Sequence, residues 1–197
     1  VIVPTMTFTA TAEIVRYLGG DVCFADLDPA TLNIDPVDIR RKITKRTKAI
    51  IVVHYGGLCC DMDEIGAIAR EHDLRVIEDA AHAFPTTWGG KLVGTLNSDA
   101  TVFSFYANKT MTTGEGGMVV SRDTAMVERM RAMRLHGINR DAFTRFQSKT
   151  PAWYYEVVAP GFKYNMTDVA AAMGGVQLTR IGEFVEKREA LARRYDE

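Results

Sequence analysis

The chain has 197 residues, of which 47% are hydrophobic and 25% are charged, and its formal net charge is −1. These values are ordinary for a globular domain, and they give no bulk electrostatic reason to bind nucleic acid or a membrane surface. No apolar run approaches the length of a transmembrane helix, and the N-terminus shows no signal-peptide pattern.

Strand and helix patterns alternate along the chain. The strand patterns occupy residues 1–4, 22–25, 49–54, 74–78, 101–106 and 117–121. The helix patterns occupy residues 9–18, a segment starting at Asp35-Pro36, and residues 62–72, 124–135, 167–181 and 183–197. Strands separated by helices favour a parallel sheet that is covered on both faces. The sequence therefore predicts an α/β fold with three layers, in which helices flank a mostly parallel central sheet.

The segment 138–160 follows neither pattern. It is long and mixes aromatic with charged residues. A loop of this length in a compact domain is usually functional or disordered. We interpret it either as a loop at the substrate site or subunit interface, or as a mobile surface excursion.

Cysteine and histidine content excludes two kinds of site. The cysteines are Cys23, Cys59 and Cys60, and the histidines are His54, His72, His82 and His136. An odd number of cysteines without zinc-ligand spacing predicts reduced thiols, and hence a cytoplasmic protein. The histidines are far apart, so no metal site is expected.

Lys109 lies in the link between the strand patterns 101–106 and 117–121, just before Gly114, Gly116 and Gly117. A lysine amine held in a loop can form a Schiff base with an aldehyde. The same pattern also fits a tight hairpin with a solvated lysine, because most lysines lie at the surface.

Asp79 follows the strand pattern 74–78 directly. Ligands of α/β sheets bind at the carboxyl ends of strands, and a carboxylate there can hold a ring nitrogen in its protonated form. A lysine and a carboxylate together suit pyridoxal 5′-phosphate. The alternative interpretation of Asp79 is a helix N-cap.

Five motifs occur in a fixed order. They are PTMTFTAT at 4–11, EDAAHA at 78–83, FSF at 103–105 with Lys109, GEGG at 114–117 and KYNMTD at 163–168. Together they resemble the DegT/StrS-type sugar aminotransferases, pyridoxal-phosphate enzymes of fold type I, over residues 1 to about 195. Within that family, residues 49–55 and 103–117 most resemble the UDP-4-amino-4-deoxy-L-arabinose–oxoglutarate aminotransferases.

The resemblance implies a role for three residues around the cofactor ring. Lys109 would bind the cofactor covalently and move the substrate proton, and Asp79 would pair with the ring nitrogen. Phe8 would stack on the ring through its flat face. Without the resemblance, Phe8 would be interpreted as a core phenylalanine.

The resemblance assigns three more residues to the rest of the cofactor. His82 would support the ring or its 3′-oxygen, and Ser104 would donate to the phosphate. Asn165 would reach the phosphate from a second subunit, which implies a homodimer with shared sites. The alternatives are a buried histidine bonded to backbone, a strand serine satisfied by its neighbours, and a polar residue at a helix entry.

The implied reaction is a ping-pong transfer of an amino group from an amino acid, glutamate, to a nucleotide-linked 4-keto sugar. Three alternatives remain. A related dehydratase would replace Lys109 by histidine, and a non-catalytic cofactor-binding or regulatory protein would not need both Lys109 and Asp79. A transaminase of small keto acids is set aside only by the resemblance.

The resemblance also bears on domain organisation. The chain begins within a strand pattern without Met and ends within a helix pattern. In the family, an N-terminal segment and a C-terminal small domain flank the large domain. We therefore expect residues 1–197 to be the cofactor-binding large domain of a longer protein, without those two parts.

Overall fold

A computed structural model describes residues 1–139 and 155–197. The chain forms two compact units, of which the first comprises Val1–Val120 with Val169–Glu197 and the second Ser121–Asp168. Residues 140–154 of the predicted loop 138–160 lie outside the described residues.

A six-stranded sheet is the centre of the first unit. Its strands are β1 (Ile2–Pro4), β2 (Cys23–Ala25), β3 (Ala49–Val53), β4 (Arg75–Asp79), β7 (Ala100–Ser104) and β8 (Gly117–Val120). They are ordered β2-β1-β3-β4-β7-β8, and all neighbours are parallel except β7 and β8. A separate two-stranded hairpin, which the sequence pattern did not predict, joins β5 (Thr87–Trp88) and β6 (Lys91–Leu92).

Six α-helices accompany the strands in the described part of the chain. They are α1 (Thr9–Tyr17), α2 (Pro36–Lys42), α3 (Met62–Glu71), α4 (Thr124–Met133), α5 (Asp168–Thr179) and α6 (Ile181–Asp196). None of them is long and apolar enough to cross a membrane.

Alternate strand residues pack against helices on opposite faces of the sheet. On one face, Ile50 and Val76 belong to a buried cluster with Ile39 of α2 and Ile65 of α3. On the other face, a second cluster includes Val15 of α1. Burying each such side chain stabilises the fold by roughly 1.5–3 kcal/mol. The predicted mostly parallel sheet with helices on both faces is therefore confirmed.

Aspartates begin three of the helices. Asp35 accepts from the Val37 N–H at 2.9 Å, and Asp123 accepts from the Met126 N–H at 3.0 Å. Asp61 accepts from the Glu64 N–H at 3.0 Å. The Glu64 carboxylate pairs with Arg40 at 3.0 Å, so the described bonds form only the Asp61 half of a capping box.

The second unit contains α4 and two isolated antiparallel bridges. These bridges join Leu135 to Lys163 and Ile138 to Val157. The segment that carries Asn165 is therefore paired through its backbone with the residues that follow α4.

Candidate active site

The carboxyl ends of five parallel strands lie at one edge of the sheet. β1 neighbours β2 on one side and β3 on the other, so the direction of strand addition reverses between β1 and β3. Ligands of open α/β sheets bind outside the strand ends at such a switch point. The segments that leave this edge carry Phe8, the turn Tyr55–Gly57, His82 and Lys109.

Lys109 lies in a cavity of about 280 Å³ in the first unit. The cavity is lined by Gly56, Ala81, His82, Phe84, Ser104, Asn108, Lys109, Thr110, Met111 and Arg188. Lys109 is half-buried, and its backbone N–H donates to the Tyr106 carbonyl at 3.0 Å. Its loop joins the antiparallel strands β7 and β8, so the hairpin interpretation describes the backbone, while the lysine itself lines a cavity.

Asp79 is the last residue of β4 and is half-buried. Its Oδ2 accepts from the Thr11 hydroxyl at 2.9 Å, and its Oδ1 accepts from the Ala81 N–H at 3.1 Å. Thr11 in turn accepts from the Thr7 hydroxyl at 2.7 Å. Among the described elements a turn, not a helix, follows Asp79, so its orientation is set by α1 and by this turn.

The charges of Lys109 and Asp79 both act on the pKa of His82. Burial of the ring is the largest cause that lowers the pKa of His82, the Lys109 charge lowers this pKa further, and the Asp79 carboxylate opposes the shift. The His82 Nδ1 accepts from the Gly56 N–H at 3.3 Å. Gly57 has φ +91°, and a Cβ there would lie 3.0 Å from the His82 carbonyl, so this close approach requires glycine.

Ser104 and Phe8 occupy different places around this cavity. Ser104 lines it and accepts from the Tyr106 N–H at 3.3 Å. Phe8 is 77% exposed at the start of α1. Phe8 and Asp79 are not among the lining residues, although Thr11 connects the first turn of α1 to Asp79.

Asn165 belongs to the second unit. Its Oδ1 accepts from the Lys163 ammonium at 2.5 Å, and the residue is half-buried. The role of Asn165 toward a cofactor stays a prediction.

A buried polar cluster lies on the opposite face of β4 from Asp79. Glu78 and His54 are both fully buried, and the His54 Nε2–H donates to Glu78 Oε2 at 2.8 Å. The His54 Nδ1 accepts from the Cys60 N–H at 3.1 Å, so the ring proton lies on Nε2 and the ring is neutral. In the sequence, Glu78 belongs to the strand pattern 74–78 and to the EDAAHA motif, and neither predicts its partnership with His54, which depends on strand pairing.

Glu78 also binds two hydroxyl groups. Its Oε1 accepts from the hydroxyl of Thr101 at 2.8 Å and from that of Ser98. Burial is the largest single effect on the pKa of Glu78 and raises it, but the hydrogen bonds from His54, Ser98 and Thr101 outweigh burial and lower the pKa overall. Glu78 is therefore an ionised carboxylate that connects the ends of β3, β4 and β7.

The C-terminal helices hold the loop that carries Lys109. The Gln177 side chain accepts from the Thr112 N–H at 2.9 Å, and a Cβ on Gly174 would lie 2.9 Å from Thr113 Cγ2. Arg188 of α6 donates from Nη2 to the Lys109 carbonyl at 3.3 Å. Arg188 could not be recognised from the sequence, because it is one of several arginines on a charged helix.

Comparison with known proteins identifies relatives over the whole chain. The family model of the DegT/DnrJ/EryC1/StrS aminotransferases matches residues 1–197. The spore coat polysaccharide biosynthesis protein SpsC of Bacillus subtilis is 47% identical over 195 residues, which are 99% of this chain and 50% of that protein.

Solved structures of sugar aminotransferases are similar to this chain. The putative sugar aminotransferase Spr1654 from Streptococcus pneumoniae, in its PMP form, has a TM-score of 0.90 at 31% identity, over 99% of this chain and 53% of that one. DesI, solved in the presence of its TDP-sugar product, has a TM-score of 0.78 at 37% identity, over 92% of this chain and 43% of that one. The chain thus spans about half the length of the relatives that it matches.

Proposed function

This chain belongs to the DegT/DnrJ/EryC1/StrS aminotransferase family, and we propose that it is the large domain of a cytoplasmic, pyridoxal-phosphate-dependent sugar aminotransferase. The reaction transfers an amino group from glutamate to a nucleotide-linked 4-keto sugar. The observation that carries this proposal is the cavity in which Lys109 lies beside His82, whose pKa responds to both Lys109 and Asp79.

The side chains around this cavity fit the cofactor chemically. Lys109 offers an amine for the aldehyde, and Asp79 offers a carboxylate for the ring nitrogen. Both Asp79 oxygens already accept one hydrogen bond each, and a carboxylate has about four acceptor positions, so capacity remains for a ring N–H. Ser104 and Asn108 line the cavity and offer donors for a phosphate.

Each residue has a defined task in the proposed reaction. The bound cofactor supplies an aldehyde and a ring that can take up electrons from the substrate α-carbon. Lys109 would hold the cofactor through Nζ and, once the incoming amine has displaced it, would accept the proton that leaves that α-carbon. Asp79 keeps the ring nitrogen protonated, and Thr11 and Ala81 hold Asp79 in place.

Around this centre, Phe8 would stack on the ring and His82 would support its 3′-oxygen. The His82 pKa is lowered, and its Nδ1 accepts from Gly56, so the ring is neutral and offers an Nε2–H donor. Asn165 of a second subunit reaches the phosphate, which makes the active protein a homodimer.

The relatives support the substrate class. DesI was solved with a TDP-sugar product, and SpsC is named for polysaccharide biosynthesis. We extend a nucleotide-linked sugar substrate to this protein on that basis. The test is turnover of the full-length protein with glutamate and a panel of nucleotide-linked 4-keto sugars, compared with small keto acids. Activity on small keto acids alone would overturn the substrate assignment.

A chemical trap tests the cofactor site directly. Borohydride reduction of the cofactor-loaded protein, followed by peptide mapping, is expected to place the label on Lys109. Lys109→Ala is expected to remain folded without label, whereas Lys91→Ala, an exposed position on β6, serves as the control. A label on any other lysine would refute the assignment.

A further inference from the structure

We propose that Arg188 binds an anionic group of a substrate, a carboxylate or a phosphate, at the cavity that contains Lys109. This inference rests on the proposed function, because it names how a substrate would be held at the same site. It concerns a residue of α6, which lies far from Lys109 in sequence.

The placement of Arg188 follows from the packing of α5. Gln177 bonds the Lys109 loop at Thr112, and Gly174 lets the helix approach Thr113 more closely than any residue with a Cβ would. Only Arg180 separates α5 from α6, so the position of α5 also positions the start of α6. Arg188 then reaches back to the Lys109 carbonyl at 3.3 Å and lines the cavity.

Arg188 differs from the nearby cations Arg180 and Lys187 in its described partners. Glu183 pairs with Arg180 at 3.0 Å and with Lys187 at 2.6 Å. Within residues 1–139 and 155–197, Arg188 forms no ion pair with a carboxylate, and its one described bond is to the Lys109 carbonyl. A guanidinium has five N–H donors, so most of its donor capacity remains available.

The lining of the cavity favours an anion. It contains two cationic side chains, Lys109 and Arg188, and none of its described lining residues is Asp or Glu. The His82 ring is neutral because its Nδ1 accepts from Gly56 and its pKa is lowered. The Asp79 carboxylate acts on His82 but is not a lining residue, so the charges on the cavity wall itself are positive and attract negative ligands.

Arg188 has the geometry for such a ligand. A planar guanidinium matches a carboxylate or phosphate with two parallel hydrogen bonds, which a lysine ammonium does not. The bond to the Lys109 carbonyl ties the guanidinium to the loop that carries the reacting amine. An anion held there would orient the rest of the substrate relative to Lys109 Nζ.

The test uses the full-length, cofactor-loaded protein and two unreactive probes, succinate and UDP. Their dissociation constants are measured by calorimetry for the wild type, Arg188→Ala, Arg188→Lys and the control Lys187→Ala. We expect Arg188→Ala to weaken at least one probe by about tenfold to a hundredfold. Arg188→Lys is expected to recover only part of the loss, and Lys187→Ala to change little.

The probes separate the two sources of the anion. A loss confined to succinate assigns Arg188 to a carboxylate of the amino donor, a loss confined to UDP assigns it to the nucleotide phosphates, and a loss of both assigns it to a shared anion site. Unchanged affinities, a wild type that binds neither probe, or an equal loss in Lys187→Ala would overturn the proposal.

Cofactor retention distinguishes this inference from the proposed function. If Arg188→Ala releases the cofactor itself, Arg188 holds the cofactor phosphate and the substrate assignment is wrong. If the wild type does not bind the cofactor at Lys109, the proposed function fails. The same two probes titrated into that cofactor-free protein then decide whether the Arg188 site exists.

Discussion

Replacing Glu78 by Gln should destabilise the protein near neutral pH, and this destabilisation should disappear in acid. The ionised carboxylate accepts hydrogen bonds from His54, Ser98 and Thr101. A charge-assisted bond is about 1 kcal/mol stronger than a neutral one, so three bonds amount to about 3 kcal/mol. Removing a buried charge returns part of this free energy. We therefore expect Glu78→Gln to lower the free energy of unfolding by about 1–3 kcal/mol at pH 7.

The direction of the pKa shift fixes the pH dependence. The folded-state pKa of Glu78 is lowered from its usual value of 4.5, chiefly by hydrogen bonds that outweigh burial. A lowered folded-state pKa contributes stability that is present above the unfolded-state pKa and is lost as pH falls through the folded-state pKa. The difference between wild type and Glu78→Gln should therefore be constant near neutral pH and shrink progressively below about pH 4.5.

Urea unfolding followed by circular dichroism, at several pH values between 3 and 7, measures this difference. The matched control is Glu186→Gln at an exposed position of α6, which should change the free energy of unfolding by less than about 0.5 kcal/mol. A loss for Glu78→Gln that is equally large at pH 3 and pH 7 would show that Glu78 is not ionised in the fold.

Three further predictions concern the site and its support. Asp79→Asn should retain its thermal midpoint but lower kcat/KM by about a hundredfold to a thousandfold; near-normal turnover would exclude a role at the ring nitrogen. Asn165→Ala should weaken cofactor retention, and mixing it with Lys109→Ala should restore part of the activity through heterodimers, unless Asn165 acts within its own subunit. Gly174→Ala should lower the free energy of unfolding by about 1–2 kcal/mol because its Cβ would meet Thr113. Gly175→Ala, with no atom within 4 Å of its Cβ, should raise it by up to about 1 kcal/mol, so equal calorimetric shifts would contradict the packing argument.

The strands of the sheet and most helices could be predicted from the sequence because their periodic patterns are local. Helix starts can be recognised locally, from Asp35 with Pro36, from Asp61 with Glu64, and from Asp123, and these three aspartates do cap helices in the structure. The hairpin of β5 and β6 was missed because each strand has only two residues, too short for a detectable period.

The candidate site also has features that the sequence predicts and features that only the structure shows. Asp79 could be proposed because it ends a strand, where ligands bind in this class of fold, and Lys109 because it lies in a glycine-rich link between two strands. The partnership of His54 with Glu78 and the approach of Arg188 to Lys109 depend on contacts between segments that are distant in the chain. No spacing rule predicts such contacts, because strand order and helix packing determine them.

The cysteines next to the buried cluster give the protein a chemical reporter of its own folding. Cys59 and Cys60 are free and buried, and the Cys60 Sγ–H donates to the Val53 carbonyl. Burial, aided by the Glu78 charge, raises the pKa of Cys59 to about 12, and burial also raises the pKa of Cys60. Only the thiolate reacts with alkylating reagents. The rate at which iodoacetamide labels these two thiols therefore measures how often the segment that carries Cys59 and Cys60 opens to solvent, without an engineered label site.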